Sequence, residues 1–267
     1  MIKDCVIIRE LPQGGQKSVY LAEHPQVGTV VIKRGAIKSF ISLERIKREV
    51  ELLSELKSEF YPQQYHFNID IKTKEFEIVE DYIEGQVLRD AMLLFKTPKE
   101  IFTLFSSLVK GLSIIWDKNI VHRDLKPENI IIRPDGMPCI IDLVIARFLD
   151  LESLTKTISP IGPCTPIYAA PEQLSNNKNL IDPRTDFFGL GIIALELYLG
   201  VHPFDPVFVG NNYSIVENIM QNKYIVETSS VKPYDAITEI AKKTLQTQPY
   251  NRFRNYRMLN AFIANQI

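Results

Sequence analysis

The chain has 267 residues, 45% of them hydrophobic and 24% charged, with a formal net charge of -1. Those values describe an ordinary globular protein, large enough for one large domain or two lobes, and they exclude wholesale disorder. They also give no global pull toward nucleic acid or an anionic membrane. Cys5, Cys139 and Cys164 form an odd, widely spaced set without a metal-ligand pattern, which fits a reducing compartment and reduced thiols.

Met1-Ile2-Lys3-Asp4 carries charge where a signal peptide needs an apolar core, and no run approaches the ~18 apolar residues of a membrane helix. The expected location is therefore cytoplasmic, with neither nucleic acid nor membrane as a partner. Residues 4–35 read as short strands, Val6-Ile7-Ile8, then Ser18 to Ala22, then Thr29 to Lys33, punctuated by Gly and Pro. Between the first two lies Pro12-Gln13-Gly14-Gly15-Gln16-Lys17-Ser18-Val19, which suits a phosphate-cradling loop or an ordinary hairpin turn. In segment 40–57, Leu43, Ile46, Val50, Leu53 and Leu56 recur at helical spacing. Glu49 falls within that inward stripe, Glu44 and Glu51 outside it, and the basic cluster Arg45, Lys47 and Arg48 reads as a solvated face. Residues 63–69 and 75–80 alternate as a hairpin across Asp70 to Lys74.

Val87 to Phe95 and Ile101 to Lys118 read as two helices, the second beginning after Thr97-Pro98. Next comes His122-Arg123-Asp124-Leu125-Lys126-Pro127-Glu128-Asn129, followed by Ile130-Ile131-Ile132-Arg133, a turn at Pro134-Asp135-Gly136, and Cys139-Ile140-Ile141-Asp142. Two apolar strands joined by that turn would deliver Asn129 and Asp142 to one place, which suits two oxygen ligands for magnesium. The octapeptide holds a carboxylate able to accept a proton, an ammonium able to neutralise phosphate charge and an amide oxygen for a metal, the parts that phosphoryl transfer needs. Asp186 to Leu197 is apolar nearly all round, a helix destined for burial.

The octapeptide resembles the catalytic loop of protein kinases, and Lys126 resembles the serine/threonine branch. The resemblance extends from Pro12 to Arg252 and implies an α+β, two-lobed fold: a β-rich ATP-binding lobe over 1–82 with one regulatory helix, and a mostly helical lobe over 83–267. It implies an ATP- and Mg2+-dependent kinase of protein serine and threonine hydroxyls, including autophosphorylation. Asp124 would be the base or orienting group and Lys126 the phosphate contact. Val30-Val31-Ile32-Lys33 matches V-A-I-K, so Val31 would pack on adenine and Lys33 hold the α- and β-phosphates, paired with Glu49. Gly14, Gly15 and Val19 would cover the phosphates, Ile131 would line the base site, and the backbones of Asp81 and Ile83 would meet the adenine at the hinge. Asn129 and Asp142 would bind the metal. Thr165 would contact Asp124 and Lys126, Asp186 would cap the catalytic loop, and Glu172 would pair with Arg252. Partners would be a protein substrate and, for phosphorylation in trans, a second copy of the chain. Arg123 would receive a phosphate on the segment carrying Ser153, Thr155, Thr157 and Ser159.

Three departures stand out. Aligned on Val19, only Gly14 remains of three glycines; Leu143-Val144 replaces Phe-Gly after Asp142; and Glu80 takes a position where a medium apolar residue is common. Val144 does not favour the positive φ that glycine permits, so the segment should be restricted in its flipping. For Glu80 the sequence leaves two readings, a bond inside the pocket or a lean toward solvent. These departures favour the alternative of a pseudokinase acting as a binding or scaffold module, against the intact set Lys33, Glu49, Asp124, Asn129 and Asp142.

Overall fold

The computed structural model describes residues 5–11, 17–36, 47, 51, 56–143, 147–148, 164–225 and 236–267. Pro12, Gly14, Gly15, Glu49, Val144 and the four segment hydroxyls Ser153, Thr155, Thr157 and Ser159 lie outside the described residues. The first lobe is a five-stranded sheet of β1 (Val6–Glu10), β2 (Lys17–His24), β3 (Gly28–Ala36), β4 (Gln64–Asp70) and β5 (Glu75–Asp81), in the order β1-β2-β3-β5-β4 with antiparallel neighbours throughout. Two turns set its register. At the β2–β3 turn, His24 Nδ1 accepts from the backbone N–H groups of Gln26 and Val27. At the β4–β5 turn, Asp70 Oδ1 accepts from Lys72 N at 2.7 Å, a local bond that closes the turn before β5 begins. Val30, Val31, Ile32 and Lys33 are all buried in the central strand β3, so both of its faces are covered.

Beyond β5 the chain runs through residues 82–85 into β6 (Gln86–Val87), where Gly85 adopts φ +149°. A Cβ there would stand 2.2 Å from the Ile132 carbonyl oxygen, so only glycine lets this connection lie against the second lobe. The helix expected over Val87 to Phe95 is broken up: β6 takes Val87, α1 covers only Leu88–Ala91, and a 3-10 turn covers Met92–Leu94. Val87 pairs with Ile131, and that ladder claims the backbone a longer helix would need.

The second lobe is built on α2 (Pro98–Trp116) and on the later α4 (Pro183–Leu199). Thr97 caps α2, its hydroxyl accepting from Glu100 N while Glu100 accepts from Thr97 N, a reciprocal capping box. Then follow β7 (Ile120–Val121), β8 (Ile130–Ile132), β9 (Pro138–Ile140) and β10 (Arg147–Phe148). β8 pairs with β6 and β9, and β10 returns to pair with β7. Helices α3 (Pro171–Leu174), α4 (Pro183–Leu199), α5 (Pro206–Val209), α6 (Ile215–Met220), α7 (Ala236–Thr244) and α8 (Tyr256–Ala264) complete the lobe.

Every residue of α4 from Thr185 to Leu197 is buried, as its all-round apolar sequence requires. Gly191 brings α4 against α7, since a Cβ would sit 2.2 Å from Thr244 Oγ1. Phe102, Phe105, Phe187, Phe188 and Phe204 are fully buried in this core, each worth about 1.5–3 kcal/mol of apolar transfer. Sheet lobe plus helical lobe is the two-lobed arrangement anticipated from the octapeptide. No helix among the described residues is long and apolar enough to cross a membrane.

Candidate active site

The octapeptide leaves β7 at Val121 and enters β8 at Ile130, and its conformation is imposed from below by α4. Asp186, 2% exposed near the start of α4, accepts from His122 N at 2.9 Å, Arg123 N at 2.8 Å and Trp116 Nε1 at 2.8 Å. Its burial pushes its carboxyl above the usual aspartate range, against the lowering effect of His122 and those donors. Arg123 has φ +70°, a left-handed conformation that costs a non-glycine residue on the order of 1 kcal/mol. Two anchors hold it: Asp186 takes its N–H, and Gln173 Nε2 donates to its carbonyl at 2.7 Å.

The next residue, Asp124, is 6% exposed and its two oxygens are divided among three donors. Oδ1 accepts from Thr165 N at 2.8 Å; Oδ2 accepts from Asn129 Nδ2 at 3.0 Å and from Lys126 Nζ at 3.1 Å. Lys126 Nζ also donates to Thr165 Oγ1 at 2.7 Å. Asp124, Lys126 and Thr165 therefore form one closed polar unit, although 39 residues separate Lys126 from Thr165 in sequence. Asn129 spends its amide N–H groups on Asp124, with a second bond to the Asp124 carbonyl at 2.8 Å, so its side-chain oxygen is the atom it can offer to a cation.

β8 and β9 pair Ile130 with Ile140 and Ile131 with Cys139, and Ile141 N donates to the Asn129 carbonyl at 2.9 Å. This ladder brings Asp142 beside Asn129, with Asp142 itself at φ +64°. An amide oxygen and a carboxylate are hard donors that suit magnesium, which keeps water and phosphate oxygens for its remaining positions. Among the described residues no three His, Cys, Asp or Glu side chains are grouped to hold a metal by themselves.

Above this floor, Val19 lies opposite Lys33 in the β2–β3 ladder, and Val31 lies opposite Glu80 in the β3–β5 ladder. Positions two apart on a strand share a face, so Val31 and Lys33 lie on the same side as Glu80. Lys33 Nζ reaches diagonally to Glu80 Oε1 at 2.7 Å, and both residues are buried. Of the two readings left open for Glu80, this ion pair establishes the one inside the cleft. Sequence reasoning offered Lys33 only Glu49, because the diagonal contact depends on strand register.

Asp81 is engaged along β4, where its N–H donates to the Gln63 carbonyl and its carboxylate accepts from Gln63 N and the Tyr65 hydroxyl. Ile83 is half-buried beside a cavity of about 410 Å³ that Asp81, Tyr82, Glu84 and Arg133 also line. Burial first, and the Asp124 charge after it, push the Cys164 thiol up to about 11, which keeps it in its protonated form near neutrality.

Two further clusters brace the floor. Arg252 pairs end-on with Glu172 at 2.7 and 2.8 Å, as anticipated, and also donates to the carbonyls of Gln246 and Arg184. The second cluster was not anticipated: Arg89 donates to Glu128 and Glu196, each at 2.7 Å, and to the Tyr168 hydroxyl, which itself donates to Glu196. Arg89 fell in a stretch read as plain helix, so nothing singled it out.

A family model described as protein kinase domain matches residues 5–262. Serine/threonine-protein kinase pkn2 of Myxococcus xanthus is 31% identical over 209 residues, covering 74% of this chain and 25% of that protein. Serine/threonine-protein kinase cst-1 of Caenorhabditis briggsae is 29% identical, covering 76% of this chain and 41% of that protein. Serine/threonine-protein kinase PrkC of Bacillus subtilis is 27% identical over 268 residues, covering 96% of this chain and 39% of that protein. The chain thus spans well under two thirds of the length of these relatives.

Proposed function

This chain belongs to the protein kinase domain family, and from that premise we propose that it moves the γ-phosphate of ATP to serine and threonine hydroxyls of protein substrates, its own chain among them. The observation that carries the reading is the closed unit of Asp124, Lys126 and Thr165, in which an acceptor and a cation are fixed side by side. Asp124 orients the attacking hydroxyl and takes its proton as the new O–P bond forms and the bond to the departing ADP oxygen breaks. Lys126 neutralises charge on the phosphoryl oxygens. Lys33 holds the inner phosphates, with Val31 and Ile131 lining the base site and Asp81 and Ile83 meeting the base edge. Asn129 and Asp142 supply protein oxygens for magnesium, which when bound neutralises phosphate charge. The two lobes divide after Tyr82, and the setting is cytoplasmic.

Incubation of the purified chain with labelled ATP and magnesium, beside Asp124→Asn and Lys33→Met, tests this. Label on the unaltered chain, reduced about 10²–10⁴-fold in Asp124→Asn, is the expected result. Equal label on all three proteins would overturn the reading, as would no label together with no thermal shift on adding MgATP.

A further inference from the structure

Glu80 is only 3% exposed, and its two oxygens have different fates. Oε1 meets Lys33 Nζ at 2.7 Å, whereas Oε2 is buried without a hydrogen-bond partner among the described residues. A buried carboxylate oxygen that has lost water and gained no donor is costly, and the cost is relieved when a ligand brings the donor. The location indicates which part of a ligand that is. Glu80 faces the same side of the sheet as Val31 and Lys33, and it immediately precedes Asp81 and the connection between the lobes. Its charge also reaches the Cys139 thiol of β9 on the opposite wall, where burial is the main cause of the thiol's rise and Glu80 adds to it. The carboxylate therefore lies buried on the sheet face that Val31 and Lys33 share, directly before the connection between the lobes.

We propose that Glu80 determines base specificity at the nucleotide site, anchoring Lys33 with one oxygen and accepting a hydrogen bond from an amino group of the base with the other. The proposal rests on the phosphotransfer reading above. An unpaired carboxylate oxygen only accepts. A 6-amino purine presents N–H to it, while a 6-oxo purine presents a second acceptor and is repelled.

The chemistry of the amide supplies the decisive variant. An ammonium cannot accept a hydrogen bond, so in Glu80→Gln the amide oxygen must face Lys33 and its NH2 must take the place of Oε2. That donor matches the 6-oxo purine. Calorimetric titration of the full chain with MgATP and with MgITP, for the unaltered protein, Glu80→Gln and Glu80→Met, reads this out without requiring turnover. The ATP-to-ITP affinity ratio should fall about tenfold or more in Glu80→Gln, the size of one gained or lost hydrogen bond, with Glu80→Met between the two. Glu80→Gln changes no volume and decides the matter even should Glu80→Met fold poorly. A ratio within about twofold of the unaltered value in Glu80→Gln would overturn the proposal alone. Failure of the unaltered chain to bind either nucleotide would overturn the kinase reading with it.

Discussion

Among the described residues, each lobe holds an ion pair with both partners buried, Arg252–Glu172 in one and Lys33–Glu80 in the other, and the two are finished differently. In the helical lobe, Arg252 and Glu172 meet through two parallel bonds, the guanidinium also donates to the Gln246 and Arg184 carbonyls, and it lies over the Phe188 ring at 5.0 Å. Both carboxylate oxygens there are satisfied. In the sheet lobe, Lys33 and Glu80 meet through one bond, and Glu80 Oε2 has no donor among the described residues. A closed pair holds a fold together, while an open pair keeps an unmet bonding capacity for a ligand.

The largest test of the contrast is removal of one partner of the closed pair. Glu172→Ala should cost about 3–5 kcal/mol in denaturant unfolding, because Arg252 would stay buried with its charge uncompensated. A loss below about 1 kcal/mol would remove the distinction between the two pairs. Next comes Asp186→Asn, which offers one acceptor oxygen where three donors now share two and turns an NH2 toward backbone N–H groups. It should cost about 1–3 kcal/mol and loosen His122 and Arg123, visible as faster amide exchange there. Glu80→Met should cost less than Glu172→Ala, about 1–2 kcal/mol by the same measurement, since Lys33 has an interaction beyond that with Glu80.

The smallest effect concerns His202. Its Nε2 lies 3.0 Å from the Ile167 carbonyl and its Nδ1 accepts from Phe204 N, so both ring nitrogens are satisfied in the neutral form. Burial lowers its pKa below the usual 6.5, against the raising effect of the Glu196 charge. The unfolded chain therefore takes up this proton first, so the stability His202 contributes is full above pH 6.5 and is lost as pH falls through the lowered folded value. His202→Gln should flatten that acid-side slope, measured as unfolding midpoint against pH.

Contacts made within one motif, or between motifs of fixed order, were legible in the sequence. Asp124, Lys126 and Asn129 share one short loop, and Thr165, Asp186, Glu172 and Arg252 each sit in a recognisable string. The all-round burial of α4 followed from a sequence that is apolar nearly all round. The Lys33–Glu80 pair was hidden because it is diagonal across a ladder: a register shifted by one residue would put the carboxylate on the other face. The Arg89 cluster was hidden because it joins α1, the His122–Asn129 loop, the segment before α3 and the body of α4 through long side chains that leave no periodic trace. The break in the expected helix at Val87 has the same origin, a long-range strand pairing that overrides local preference.

Trp116 is the only tryptophan in the chain, and its indole N–H donates to the same carboxylate that fixes His122 and Arg123. The ring is 3% exposed and set edge-on against Phe187 at 5.2 Å. The indole emission of the protein therefore comes from a single chromophore two hydrogen bonds away from the His122–Asn129 loop, with Asp186 between them. A shift of that emission toward the red reports water reaching Asp186, so the protein carries its own optical gauge of whether the loop is assembled, with no label attached.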